Sequence, residues 1–203
     1  MEENETEKLI LNCARKVFVK KGFDGARMQD IADQAGINKA MLHYYFRSKE
    51  KLFEMVFIES ISFLLPKLFA AILSEKPIQE KIRDVVISYT DALLINPDIP
   101  LFIIREVNSN PERMSALIKS HVQIDKVKEK LSNDIKEAQE KGEFIEIDYI
   151  QFLLTLLSSC LFPFIGRNMI KILFGFDDES YNDFILKRKE QLPNLLINGL
   201  IKK

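Results

Sequence analysis

The chain has 203 residues, of which 47% are hydrophobic and 29% charged, with a formal net charge of −1. This balance excludes a disordered tail protein and supplies enough apolar surface for one or two compact domains. Two cysteines, Cys13 and Cys160, form neither a disulfide framework nor a zinc set, and fit a reducing, cytoplasmic setting; no metal or other cofactor is expected.

The mean charge conceals an asymmetry. The first seven residues carry four Glu, and this acidic start without an apolar stretch is not expected to be a signal peptide. From Lys8 to Lys51 ten Lys or Arg stand against four Asp or Glu, a net of +6, whereas the remainder is slightly acidic. A basic block on an otherwise acidic chain points to a polyanion partner for that block.

In chain order the signals are helical, with no sustained period-two alternation and no hairpin dipeptide. Leu9, Ile10, Cys13, Ala14, Val17 and Phe18 form the first stripe, which Gly22 stops. Two short helices follow, Met28–Ala35 and Asn38–Tyr45, joined through Gly36. Ser48 is a natural N-cap for a long helix with Leu52, Phe53, Val56, Phe57, Ile61, Leu64 and Leu68 on its apolar face and Pro66 inside it. Pro77 opens the next helix, with Ile82, Val85, Val86, Tyr89 and Leu93 on one face, and Asn96-Pro97 ends it. A short helix from Pro100 follows, then one stretch from Pro111 to Glu140. Two apolar helices, around residues 148–165 and 178–200, flank a short amphipathic piece. The fold expected is all-α: an N-terminal three-helix helix-turn-helix domain, residues 1–47, plus a larger C-terminal helical domain, residues 48–203 (about nine helices).

The basic domain has a readable geometry. Gly36 supplies the positive φ of a tight helix-turn-helix corner, Ile37 plugs that corner, and Asn38 caps the next helix. Leu42 and Phe46 hold that helix on the core. Lys39, Ala40, Met41, His43 and Tyr44 then face outward, a surface that suits the major groove of a DNA duplex.

The run from Gly22-Phe23 through Ile31-Ala32, Ala35-Gly36-Ile37-Asn38, Tyr44-Tyr45-Phe46 and Ser48-Lys49-Glu50-Lys51-Leu52 resembles, without gaps, the N-terminal domain of TetR/AcrR-type transcriptional regulators. The resemblance implies that Lys39, Ala40 and Met41 sit near bases, that Tyr44 approaches the phosphate backbone, and that Lys49 grips a phosphate. His43 occupies a place where the family usually has Tyr. Arg27 stands where a Ser or Thr N-cap is usual, and is expected to reach a phosphate instead. Ala40 and Met41 replace the commoner Gly and Thr, an apolar pair suited to thymine methyls.

The resemblance further implies a homodimer that binds a palindromic operator in double-stranded DNA and is released by a small apolar or amphipathic effector of unknown identity. One recognition helix makes too few phosphate contacts to hold an operator, so two copies are expected. Candidate interface residues are Leu156, Ser159, Phe184, Leu192 and Leu196 on the last two apolar helices. Candidate ligand residues are Phe63, Tyr89, Phe102, Arg105, His121 and Phe152. Tyr149–Gly166 is free of charge but holds Gln151, Thr155, Ser158, Ser159 and Pro163, which favours a buried or subunit-interface helix over a membrane span. With no Gly-rich phosphate loop, no His-Glu-x-x-His and no nucleophile elbow, an enzyme is not expected. A helical adaptor that makes only protein contacts remains the alternative, against which the basic block argues.

Overall fold

The computed structural model describes residues 2–202, with side chains from residue 5 onward; the acidic residues at positions 2 and 3 lie outside the described side chains. Eleven helices occupy the described residues: α1 (Glu2–Gly25), α2 (Met28–Ala35), α3 (Lys39–Tyr45), α4 (Lys49–Ile72), α5 (Ile78–Ile95), α6 (Ile99–Ser109), α7 (Pro111–His121), α8 (Ile124–Glu140), α9 (Tyr149–Ile165), α10 (Arg167–Phe174) and α11 (Asp178–Leu200). One isolated antiparallel bridge pairs Phe144 with Ile201. The chain divides into two compact units, one of Met1–Ser62 with Leu101–Val122, the other of Phe63–Pro100 with Gln123–Lys203.

In the first unit the stripe of α1 buries Ile10, Cys13, Ala14, Val17 and Phe18, while Leu9 lies exposed. Its helical path breaks at Gly22, where φ is +71°. A side chain there would be strained, and its Cβ would also stand 3.4 Å from Glu106 Oε1. Phe53 of α4 holds the aromatic core together, with ring centroids 5.1 Å from Phe18 and 5.9 Å from Phe102 in edge-on contact. Such pairs add about 0.5–1.5 kcal/mol each beyond area burial. The Cys13 thiol is buried and donates to the Gln34 carbonyl at 3.4 Å.

The second unit packs α5, α8, α9 and α11 on faces that include Val85, Val86, Leu131, Leu156, Ile185 and Leu192. Lys81 is buried because its ammonium donates to the Ile72 carbonyl at the end of α4 and to Asp134 of α8. α9 stays helical through Pro163, which has no N–H for the Ser159 carbonyl one turn earlier. The Arg188 fork of α11 donates to that carbonyl instead, at 3.2 Å from Nε and 3.0 Å from Nη2. Tyr181 likewise donates its hydroxyl to the Pro163 carbonyl. Burial pushes the Cys160 thiol up to about 12.

The stretch from Pro111 to Glu140, a single unit in the sequence reading, is two helices separated at Val122 and Gln123. Val122 is extended at φ −127°, ψ 117°. α4 is long and apolar enough to cross a bilayer by length and composition. Its residues Leu52, Phe53, Val56, Phe57, Leu64 and Leu68 are nevertheless buried in protein.

Candidate nucleic-acid interface

The interface is built by the turn between α2 and α3. Gly36 has φ +67° and ψ 27°, and its N–H closes α2 on Ala32 and Asp33. Asn38 then caps α3, its side chain accepting from the Met41 N–H at 2.8 Å. Leu42 is fully buried and Phe46 nearly so, which anchors one side of a seven-residue helix. The opposite side carries Lys39, Ala40, Met41, His43 and Tyr44, all exposed, with Tyr44 73% accessible. Tyr44 also meets the Tyr45 ring edge-on at 5.4 Å.

Arg27 precedes α2 with extended backbone (φ −118°, ψ 145°) and makes no side-chain cap. Half of a capping box survives, because the Asp30 carboxylate accepts from the Arg27 backbone N–H at 3.1 Å. Lys21 pairs with the same carboxylate at 2.8 Å and, as the largest influence, holds its pKa below the ordinary value. The Arg27 guanidinium is thereby left exposed beside α2.

Lys49 is placed differently from the other expected contacts. Its ammonium turns inward and donates to the carbonyls of Phe23 (2.9 Å) and Ala26 (3.1 Å), 4.4 Å from the Phe23 ring centroid. It braces the link between α1 and α2, with two of its three donors committed to the protein. Arg113 of α7, which the sequence reading missed, lies 4.5 Å from the same ring centroid and 5.1 Å from that of Phe53. Nothing local in the sequence signals that contact, since Arg113 stands ninety residues from Phe23.

The six expected ligand residues are divided between the two units. Phe102, Arg105 and His121 belong to the first unit, and Phe63, Tyr89 and Phe152 to the second. Arg105 braces α1: it donates to the carbonyls of Phe18 and Val19, in the turn before Gly22, and from Nε to the buried Glu106 at 3.1 Å. His121 is exposed, with Nδ1 2.9 Å from the Leu117 carbonyl, so it faces no apolar interior. Phe102 is a core residue beside Phe53 and Phe57. Tyr89 and Phe152 are buried, and burial raises the pKa of the Tyr89 phenol. A polar cleft of about 440 Å³ in the second unit is lined by residues such as Lys76, Lys130, Asp134 and Lys141, and by none of the six.

Of the expected interface residues, Leu156 and Leu192 are buried inside the second unit. Ser159 is half-buried, its carbonyl taken by Arg188. Phe184 and Leu196 are half-buried. The apolar side chains these helices do expose include Ile150, Leu154 and Phe162 on α9 and Leu195 on α11.

Residues 10–56 match the family model described as bacterial regulatory proteins, tetR family. The chain is 26% identical over 180 residues to the probable HTH-type transcriptional regulator YttP of Bacillus subtilis (strain 168), covering 87% of this chain and 86% of that protein. It is 50% identical over 50 residues to the HTH-type transcriptional repressor NicS of Pseudomonas putida, 25% of this chain and 24% of NicS. Among solved structures, the ketosteroid transcriptional regulator KstR2 of Mycobacterium tuberculosis aligns with a TM-score of 0.72 at 16% identity, over 97% of this chain and 95% of that one. HlyIIR, a hemolysin II transcriptional regulator, aligns with a TM-score of 0.65 at 24% identity, over 98% and 99%. At those identities the two structures speak for the fold.

Proposed function

The chain is a TetR-type helix-turn-helix transcriptional regulator and not an enzyme, and from that premise we propose that it is a repressor that binds a palindromic operator as a homodimer. Residues 1–47 form its DNA-binding part and residues 48–203 its regulatory and dimerisation part. The observation that carries this reading is the two-sided character of α3, anchored by Leu42 and Phe46 and exposing Lys39, Ala40, Met41, His43 and Tyr44. An α-helix with that exposed face fits a major groove, its N-terminal residues toward base edges. Arg27 approaches the backbone from the start of α2, where its guanidinium is exposed.

Two copies set their recognition helices about 34–36 Å apart, one turn of the duplex. The apolar outer residues of α9, Ile150, Leu154 and Phe162, support the pairing of two chains. TetR-type regulators take small-molecule effectors; here an apolar or amphipathic effector lodges in the second unit, near the buried Tyr89 and Phe152, and lowers operator affinity. A coupling of about 1–3 kcal/mol suffices for such a switch. The regulator works in the cytoplasm, where its operator lies.

The test is selection of bound duplexes from a random pool, followed by binding of the Lys39→Ala and Tyr44→Ala variants. Lys39→Ala is expected to change sequence preference and Tyr44→Ala to weaken all selected sites alike. A protein indifferent to every duplex at low salt refutes the reading.

A further inference from the structure

We propose that Arg113 of α7 is a positioning residue for operator binding, clasping the two ends of the segment that carries α2 and α3. This rests on the DNA-binding reading given above. That segment begins beyond Phe23, just past the break at Gly22, and ends in the first turn of α4. Arg113 reaches both places. Its guanidinium carbon lies 4.5 Å from the Phe23 ring centroid, and its Nη2 donates to the Glu50 carbonyl at 3.3 Å and to the Glu54 carboxylate at 3.4 Å. The same guanidinium stands 5.1 Å from the centroid of Phe53, which meets Phe23 edge-on at 5.0 Å.

Arg113 stands 63 residues from Glu50 along the chain, yet α7 falls in the same compact unit as the DNA-binding helices. The segment it clasps needs outside support. α2 and α3 have eight and seven residues, and isolated helices shorter than about 12–15 residues are marginal in water. Their arrangement therefore depends on what holds the segment at its base. Lys49 ties the same two ends through the Phe23 and Ala26 carbonyls, as a compact point donor. The planar Arg113 fork does what an ammonium does not, lying on a ring while its edge donates to a neighbouring helix. Its side chain is 28% exposed, so water screens the ring contact only in part.

Without the clasp, α2 and α3 keep their buried anchors Ile31, Ala32, Leu42 and Phe46 but sample arrangements in which Arg27 and the outer face of α3 do not meet the duplex together. Only the competent fraction binds, and the apparent Kd rises as the inverse of that fraction. Arg113 itself makes no phosphate contact in this arrangement, so the salt dependence, which counts such contacts, stays as it was.

The test uses the full chain and one duplex selected from the random pool, with binding read by fluorescence anisotropy across a salt series and amide hydrogen exchange measured on the free protein. Arg113→Ala is expected to raise Kd about tenfold at an unchanged slope of log affinity against log salt. It is also expected to speed exchange in α2 and α3 while residues 10–18 of α1 keep their rates. Arg113→Lys keeps a cation for the ring without the fork, and is expected to raise Kd about threefold. An Arg113→Ala chain that melts earlier yet binds with the same Kd overturns the positioning role and leaves a residue of stability alone. A slope flattened by about two overturns it in favour of a phosphate contact. Should Arg113→Ala fail to fold, Arg113→Lys decides, and an unchanged Kd there overturns the proposal. An unsubstituted chain that binds no duplex overturns the DNA-binding reading and this proposal together.

Discussion

Lys49→Ala removes an ammonium that donates to the Phe23 and Ala26 carbonyls and stands over the Phe23 ring. Hydrogen bonds from a charged donor are worth about 1.5–3 kcal/mol each, but this residue is half-buried and water recovers part of the loss, so the cost is about 2 kcal/mol. In a chain of this size each kcal/mol moves Tm by about 2–4 °C, which gives a fall of about 4–8 °C. Were the same ammonium a phosphate contact, a dimer would lose two contacts, and the slope of log affinity against log salt would flatten by about 1.8. The inward geometry predicts an unchanged slope and an affinity that falls on every operator alike. Thermal melting, with fluorescence anisotropy on one operator duplex from about 50 to 200 mM salt, measures both. An unchanged Tm with a slope flattened by about two refutes the brace and restores Lys49 to the phosphates.

Arg188→Ala strands the Ser159 carbonyl and costs about 1–3 kcal/mol in denaturant unfolding. With Pro163→Ala already present that carbonyl regains a helical donor, so the Arg188→Ala cost falls by about 1 kcal/mol; zero coupling in the double-mutant cycle would count against this account. Gly36→Ala places a Cβ in open space at φ +67°, so its cost is backbone strain alone, about 1–2 kcal/mol by chemical unfolding. A loss well above that range means a steric clash that the geometry does not contain. The carboxyl of Asp30 has its pKa lowered by Lys21 and by the Arg27 N–H, so its contribution is present above the ordinary carboxylate value and is lost as pH falls through the lower folded value. The difference in Tm between the unsubstituted chain and Asp30→Asn is therefore expected to shrink below about pH 4, and a difference that stays constant from neutral pH into acid contradicts it.

The outward face of α3 was legible because a seven-residue helix with Leu42 and Phe46 four apart has one way to sit on a core. The αL corner at Gly36 and the Asn38 cap were legible for the same local reason, since each is a property of a few adjacent residues. Contacts between distant segments were not. The Arg105 fork reaches carbonyls 86 and 87 residues away, and Arg188 reaches one 29 residues away. An arginine on an apolar helix reads alike whether it meets a ligand or an orphaned carbonyl. The burial of Leu156 was not legible because α9 is apolar nearly all round, so composition does not tell its inward side from its outward one.

The two thiols give the molecule a built-in timer for opening. Cys13 lies in one unit and Cys160 in the other, and both are shielded from solvent. A thiol-specific reagent in native buffer therefore labels each site only as fast as its own surroundings breathe, and peptide mapping of the adducts separates the two rates. Operator DNA, or an inducer, that tightens one half of the chain and loosens the other would announce itself as opposite changes in the two labelling half-lives.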